Sequence, residues 1–342
     1  MTTVRYSDGQ LLRARVALAS EIDRRSVALP SRVVEAFLNV DRHPFVPVFY
    51  REDPNGLHRP WWAGEPADEG WLREVYTDQV LVTEVDEVHA EAGSPNGQRG
   101  VPTSSSTLPS LMADMLDALD VRPGDRVLEV GTGTGYNTAL LCHLAGGAQV
   151  TTIDRTERLV ATARARLCAV GFEPTVLRAD GADGHPAGAP YDRIIATCGI
   201  QRLPRAWLDQ CAPGGLIVAP IRGAVARLTK LSDGRAVGRF LHRPAAFMPL
   251  RSGAGPGPEA PEWERERPTG ISFPALDDPG FSFWVGLHLG GSRDFRETVE
   301  AAHRSWLDQN RPRREWFTIE AGPDGHVVSY AAPDGTSFRW VL

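Results

Sequence analysis

The chain has 342 residues, 42% of them hydrophobic, and a formal net charge of −6, which suits two domains or one elaborated domain and excludes a globally basic surface of the kind that holds nucleic acid. Four scattered cysteines, Cys142, Cys168, Cys198 and Cys211, form no C-x-x-C pair, so neither a zinc site nor a disulfide framework is expected. The N-terminal "MTTVRYSDGQLLRARVALAS" lacks the apolar core of a signal peptide and no run approaches the ~20 apolar residues that span a bilayer; the expectation is a cytoplasmic protein without metal or membrane partner.

Residues 10–50 read as two helices and a turn. In "SRVVEAFLNV", Ser31 is the expected cap and Val33, Val34, Phe37 and Leu38 repeat at helical spacing. Pro44 and Pro47 then break the helix. Residues 51–74, rich in Pro, Gly, Trp and charge, read as a surface insertion in which Trp61, Trp62 and Trp71 are expected to form a satellite cluster, with a peptide-binding shelf as the alternative. "VYTDQVLVTEVDE" reads as a strand pair, with Tyr76 and Asp78 structural. "AGSPNGQRGVPTSSST" reads as loop, and "PSLMADMLDALDV" as an amphipathic helix.

From Asp125 short apolar runs alternate with helical segments: "RVLEV", "AQVTTID", "PTVLRAD", "YDRIIATC" and "GGLIVAPI" are the strands. That alternation is the signature of a doubly wound, mostly parallel sheet of Rossmann-like α/β type, with helices on both faces. Asp233-Gly234 between two strand-like runs predicts an antiparallel hairpin. The boundaries read as an N-terminal helical segment with the insertion over 1–100, a ligand-binding α/β domain over 101–250, a Gly/Pro/charge linker over 251–268 and a small α+β module over 269–342.

The sequence "VGTGTG" puts Gly131, Gly133 and Gly135 at alternate positions, interleaved with Thr132 and Thr134, directly after the first of these strands. Open α/β sheets bind ligands at the carboxyl ends of their strands. Dinucleotides call for G-x-G-x-x-G; the tighter spacing here suits a ligand with no pyrophosphate, such as S-adenosylmethionine. A tight turn with no ligand competes with that reading on glycine spacing alone. Three acids add to it. Asp154, followed by Arg155, ends the second strand and suits ribose hydroxyls or a helix cap. Asp180-Gly181 closes the third and suits an adenine amino group. Glu129 lies inside the first strand and, once buried, needs a partner: loop amides or a ligand ammonium.

"VLEVGTGTGYNTALL", "RADGADG", "PYDRIIATC" and "APGGLIVAPI" resemble class I methyltransferases, and more narrowly the protein-L-isoaspartate O-methyltransferase family; "DRHPFVPVFY" and "VYTDQVLVT" agree upstream. The resemblance covers roughly residues 10–245. It implies S-adenosylmethionine as cofactor and a peptide or protein carrying an aspartyl or isoaspartyl carboxylate as methyl acceptor. The family's acceptor-side serine, two residues ahead of a proline, corresponds to Thr107 here. Thr107, Ser106 and Thr197 are therefore the expected acceptor-side residues, and Glu129, Gly131, Thr132, Gly133, Thr134, Gly135, Asp154, Arg155, Asp180 and Gly181 the cofactor side. Thr107, the 51–74 insertion and the tail beyond 250 resemble a branch that esterifies one aspartate of a ribosomally made peptide, giving an aspartimide, in association with a peptide-maturation enzyme. Isoaspartate repair is the alternative; a cofactor-binding partner without turnover and a small-molecule methyltransferase are the others.

Overall fold

The structure is a computed structural model that describes residues 6–63, 68–253, 278–288, 295–323 and 325–342. Two units divide the chain, Met1–Ala179 and Asp180–Leu342.

The first unit begins with α1 (Asp8–Arg25), opened by a capping box in which Ser7 Oγ accepts from Gln10 N and the Gln10 side chain accepts from Ser7 N. Then comes α2 (Ser31–Asn39), whose cap is Pro30 rather than Ser31; proline's fixed φ serves the entry, and Ser31 is already helical. Leu18, Ile22, Val33 and Phe37 are fully buried, each worth about 1.5–3 kcal/mol relative to exposure. The insertion is regular. Strands β1 (Val48–Glu52) and β2 (His58–Trp62) form a hairpin, and α3 (Glu69–Val75) follows, capped by Asp68. Phe49 meets Trp61 edge-on at 5.4 Å, Arg51 lies 3.4 Å over Trp61, Trp71 is buried and Trp62 is exposed. Trp61 and Trp71 therefore serve the packing expected of a satellite cluster.

β3 (Leu81–Val85) pairs with β1, with β4 (Val88–His89) and with β5 (Pro102–Ser106). The last of these overturns the loop expected around "PTSSST". Hydroxyl side chains tolerate strands when the neighbours supply partners, as Thr83 Oγ1 does by donating to Ser104 Oγ at 3.3 Å. After α4 (Pro109–Leu119) come three parallel strands, β6 (Val127–Val130), β7 (Val150–Asp154) and β8 (Thr175–Arg178), in that order across the sheet. The crossovers are α5 (Tyr136–Ala145) and α6 (Glu157–Ala169). All of β6 is buried, as a covered parallel strand must be.

The second unit pairs β9 (Tyr191–Ala196) in parallel with β10 (Cys211–Ile221), across α7 (Arg205–Gln210). From β10 onward every pairing is antiparallel: β11 (Ala224–Lys230), β12 (Ala236–Pro244), β13 (Thr318–Gly322), β14 (Gly325–Ala331) and β15 (Ser337–Val341). The expected hairpin at Asp233-Gly234 joins β11 to β12. Mostly parallel thus describes the glycine-loop strands but not this half. The tail is also no separate module, because β13 pairs with β12 through Ala236–Ala321 and Arg239–Thr318. Helices α8 (Pro279–His288) and α9 (Phe295–Asp308) belong to it, and Trp284 of α8 has Phe317, Tyr330, Phe338 and Trp340 around it at 5.2–6.2 Å. The expected linker lies, beyond Gly253, outside the described residues.

Candidate active site

The glycine loop is built by φ values that other residues resist: +100° at Gly131, +52° at Gly133 and +88° at Gly135. The loop is hung from β7, since Gly131 N and Thr132 N both donate to Ile153 O, at 2.9 and 3.2 Å. The glycines differ in purpose. A Cβ on Gly135, the cap of α5, would come within 3.3 Å of Ala163 Cβ and 3.4 Å of the Phe45 ring; this glycine makes room for protein. A Cβ on Gly133 would meet only the Ser105 carbonyl, at 3.9 Å. That contact sets the middle of the loop beside β5.

Asp154 is held by two backbone amides. Its Oδ2 accepts from Gly133 N and its Oδ1 from Thr156 N, both at 3.1 Å. It braces the loop and closes a turn, but it does not cap α6, whose cap is Thr156. A carboxylate has acceptor sites for more than two donors. The carbonyl of Arg155 accepts from Arg178 Nε at 3.3 Å, and the Arg155 side chain has no hydrogen-bond or ion-pair partner among the described residues.

Three expected cofactor-side groups point inward instead. Glu129 is fully buried; Asn137 Nδ2 donates to Oε1 at 2.7 Å and Thr138 Oγ1 donates to Oε2. Its partners are side chains of α5 and, through Thr152, of β7 rather than loop amides. Burial pushes its pKa from 4.5 up to about 7, against the opposing hydrogen bonds from Thr138, Thr152 and Asn137. Thr132 Oγ1 is paired with Thr152 Oγ1 at 2.7 Å, and Thr134 Oγ1 accepts from Tyr136 N at 3.3 Å. Any contribution of these threonines to a ligand comes from their backbone.

On the acceptor side Ser106 and Thr107 part company. Ser106 is buried and its Oγ accepts from Arg42 Nη2 at 3.1 Å and Nε at 3.3 Å. Thr107, just past the end of β5, is half-buried; its carbonyl accepts from Arg42 Nη2 at 3.2 Å, while its hydroxyl has no partner among the described residues. The hydroxyl available for an incoming carboxylate is therefore Thr107's.

Arg42 is the residue that sequence reading passed over. It is fully buried, and besides Ser106 and Thr107 it reaches the carbonyls of Val75, Thr77 and Gln79 at 3.0–3.1 Å. Its guanidinium lies 5.9 Å from the Tyr136 ring centroid, at the start of α5. One cation thus ties the Thr107 turn to the 75–79 segment and to the helix behind the glycine loop. Burial lowers its pKa to about 10, still far above neutrality, so the charge persists. Tyr76 and Asp78 are structural, as expected: Tyr76 OH donates to Asp41 Oδ1 at 3.1 Å, and Asp78 Oδ1 accepts from Ser110 N at 2.8 Å at the start of α4.

In the second unit, Asp180 is the acid expected to await an adenine amino group. Its Oδ1 accepts from Ala182 N at 2.9 Å, and its Oδ2 accepts from Ser252 Oγ and Gly253 N, both at 2.8 Å. The Gly181 carbonyl accepts from Trp207 Nε1 at 2.8 Å. Thr197 follows β9 directly and is half-buried; two residues on, Gly199 N donates to Met248 O at 2.8 Å. Within this unit the 248–253 segment thus holds both Gly199 and Asp180. Among the described residues no group of three or more His, Cys, Asp or Glu is placed to hold a metal, and no helix is long and apolar enough to cross a membrane.

Residues 69–254 match the family model described as protein-L-isoaspartate(D-aspartate) O-methyltransferase. The protein-L-isoaspartate O-methyltransferase of Methanopyrus kandleri is 33% identical over 245 residues, covering 70% of this chain and 91% of the relative. That of Ignicoccus hospitalis is 41% identical over 149 residues, covering 42% of this chain and 70% of the relative. A solved structure titled protein-L-isoaspartate O-methyltransferase matches the fold with a TM-score of 0.58 at 21% identity, over 96% of this chain and 99% of that one. The tail beyond residue 250 therefore has a counterpart in that fold and does not set this chain apart.

Proposed function

Because the chain belongs to the protein-L-isoaspartate(D-aspartate) O-methyltransferase family, whose members are S-adenosylmethionine-dependent carboxyl methyltransferases of class I fold, we propose that it esterifies a side-chain carboxylate held at Thr107. The cofactor supplies an electrophilic sulfonium methyl. Gly131, Gly133 and Gly135 leave backbone where side chains would intrude, Asp154 receives the ribose hydroxyls, and Asp180 the adenine amino group once Ser252 and Gly253 give way. Glu129 fixes the first turn of α5 behind the loop. The observation that carries the reading is the Thr107 hydroxyl without an internal partner among the described residues, at the end of a strand whose Ser105 carbonyl faces Gly133.

A carboxylate with a reference pKa near 4 is ionised at neutral pH and needs no general base. The chain's task is orientation and removal of water. Thr107 Oγ1 donates to one carboxylate oxygen and leaves the other to attack, and Thr197 is a second acceptor-side hydroxyl. The resulting ester has a good leaving group, so the next backbone nitrogen closes a succinimide and expels methanol.

Of the two acceptors, we favour an aspartyl residue of a ribosomally made peptide. In isoaspartate the free carboxylate hangs directly on the branched Cα; in aspartate a CH2 carries it. The extra methyl of threonine, relative to the family's serine, narrows the approach and suits the slimmer arm. Isoaspartate repair is supported by the names of the relatives. Methylation of matched aspartyl and isoaspartyl peptides, by wild type and Thr107→Ser, separates the two: preference for the aspartyl form, relaxed in the serine variant, is expected. Preference of the wild type for isoaspartate would overturn the narrower reading.

A further inference from the structure

The sheet formed by β12–β15 has two unlike faces. One is closed by Trp284 and its aromatic neighbours. On the other, the register aligns side chains in two straight rows. Arg239 pairs with Thr318, Thr318 with Ser329, and Ser329 with Arg339. The second row is Val237, Glu320, Val327 and Val341. All of these but Val341 line an open trough of about 550 Å³.

Charge in this trough is one-sided. Arg239 and Arg339 are exposed, and neither has an ion-pair or hydrogen-bond partner among the described residues. The row's hydroxyls are bonded to each other, Thr318 Oγ1 to Ser329 Oγ at 2.7 Å. The acid of the second row, Glu320, is held by Arg235 at 2.7 Å, and Arg235 also binds Asp233 at 2.8 Å. A basic row with its nearby carboxylate already paired is unusual on a chain of net charge −6.

We propose that this face docks an extended acidic polypeptide segment. Strands lie about 4.8 Å apart, so three steps from Arg239 to Arg339 span about 14 Å, which is four residues of extended chain at about 3.4 Å each. Carboxylates at i and i+4 of an extended peptide project on the same side and reach both guanidinium groups, which bind carboxylates in two-point fashion. Val237 and Val327 give the intervening side chains an apolar floor. The site is independent of methyl transfer, since nothing in it calls for cofactor.

The test is fluorescence anisotropy on the full chain, using a fluorescein-labelled extended peptide with glutamates at i and i+4 separated by threonines. Wild type is expected to bind it, with affinity that falls as salt rises. The Arg239→Ala/Arg339→Ala variant should bind about tenfold more weakly, as expected for the loss of two exposed pairs, with an unchanged heat-melting profile. The glutamine version of the peptide should bind wild type no better than the variant binds the glutamate peptide, which tests the charge requirement without any mutation. Equal binding by variant and wild type, equal binding of both peptides, or tighter binding of a single-stranded oligonucleotide of matched charge would each overturn the proposal. Peptide binding that persists where no ester forms would strike the proposed function and leave this site standing.

Discussion

Glu129→Gln should make the protein's stability less sensitive to pH, by an amount set by one buried carboxyl. Glu129 has no exposed surface, and burial raises its pKa from 4.5 to about 7. The folded state therefore holds this proton more tightly than the unfolded chain. Between those two pKa values the native protein binds more protons than the unfolded one, so stability falls as pH rises. A displacement of this size corresponds to about 3 kcal/mol, fully lost once pH exceeds the folded value. Glutamine has no proton to release and keeps an oxygen for one of the donors from Asn137 and Thr138. Urea unfolding followed by far-ultraviolet circular dichroism, for both proteins at pH 5 and pH 8, isolates the effect, because all other titrating groups cancel in the comparison. The stability of the Glu129→Gln variant relative to wild type should rise by about 2–3 kcal/mol from pH 5 to pH 8. A gap that stays constant would mean that Glu129 does not titrate in this window, and the burial argument would be wrong.

Asp154→Ala should weaken S-adenosylmethionine binding at least tenfold by calorimetry, because it removes both the proposed ribose acceptor and the brace on Gly133 N; Thr107→Val should keep that affinity and lower kcat, and equal loss of binding in both would contradict the division of roles. Arg42→Leu strands the carbonyls of Val75, Thr77, Gln79 and Thr107 in the interior; at about 1–3 kcal/mol per unsatisfied group, a loss of at least about 3 kcal/mol is expected, and the melting temperature reads it. Arg42→Lys, with a point charge in place of a fork, should recover only part. Gly135→Ala forces a side chain to φ +88° and to 3.3 Å from Ala163 Cβ, so a destabilisation of about 1–3 kcal/mol is expected; a neutral effect would show that α6 yields.

The parallel strands were legible because short apolar runs alternate with helical segments, and the glycine loop because its spacing is bound to one kind of turn. Arg42 was not legible. A buried arginine differs from a surface one only by the carbonyls that converge on it, and those come from separate stretches of chain. β5 was hidden by composition, since serine and threonine mark turns until a neighbour such as Thr83 supplies their hydrogen bonds. Glu129 was recognised as a buried acid, but its partners stand in the first turn of α5 and on β7 rather than in the loop. The continuity of β12 with β13 was hidden by the Gly/Pro-rich stretch between them, which reads as a boundary although the pairing leaps over it.

That continuity bears on how the protein tolerates shortening. Ending the chain near residue 250 would strip β13 from β12 and leave every other amide and carbonyl of the stretch Ala236 to Arg239 along a bare rim. Such a rim invites foreign strands to zip onto it, so a truncated protein should clump before its chemistry can be judged. What looked like an appendage is the selvedge that keeps the fabric from unravelling.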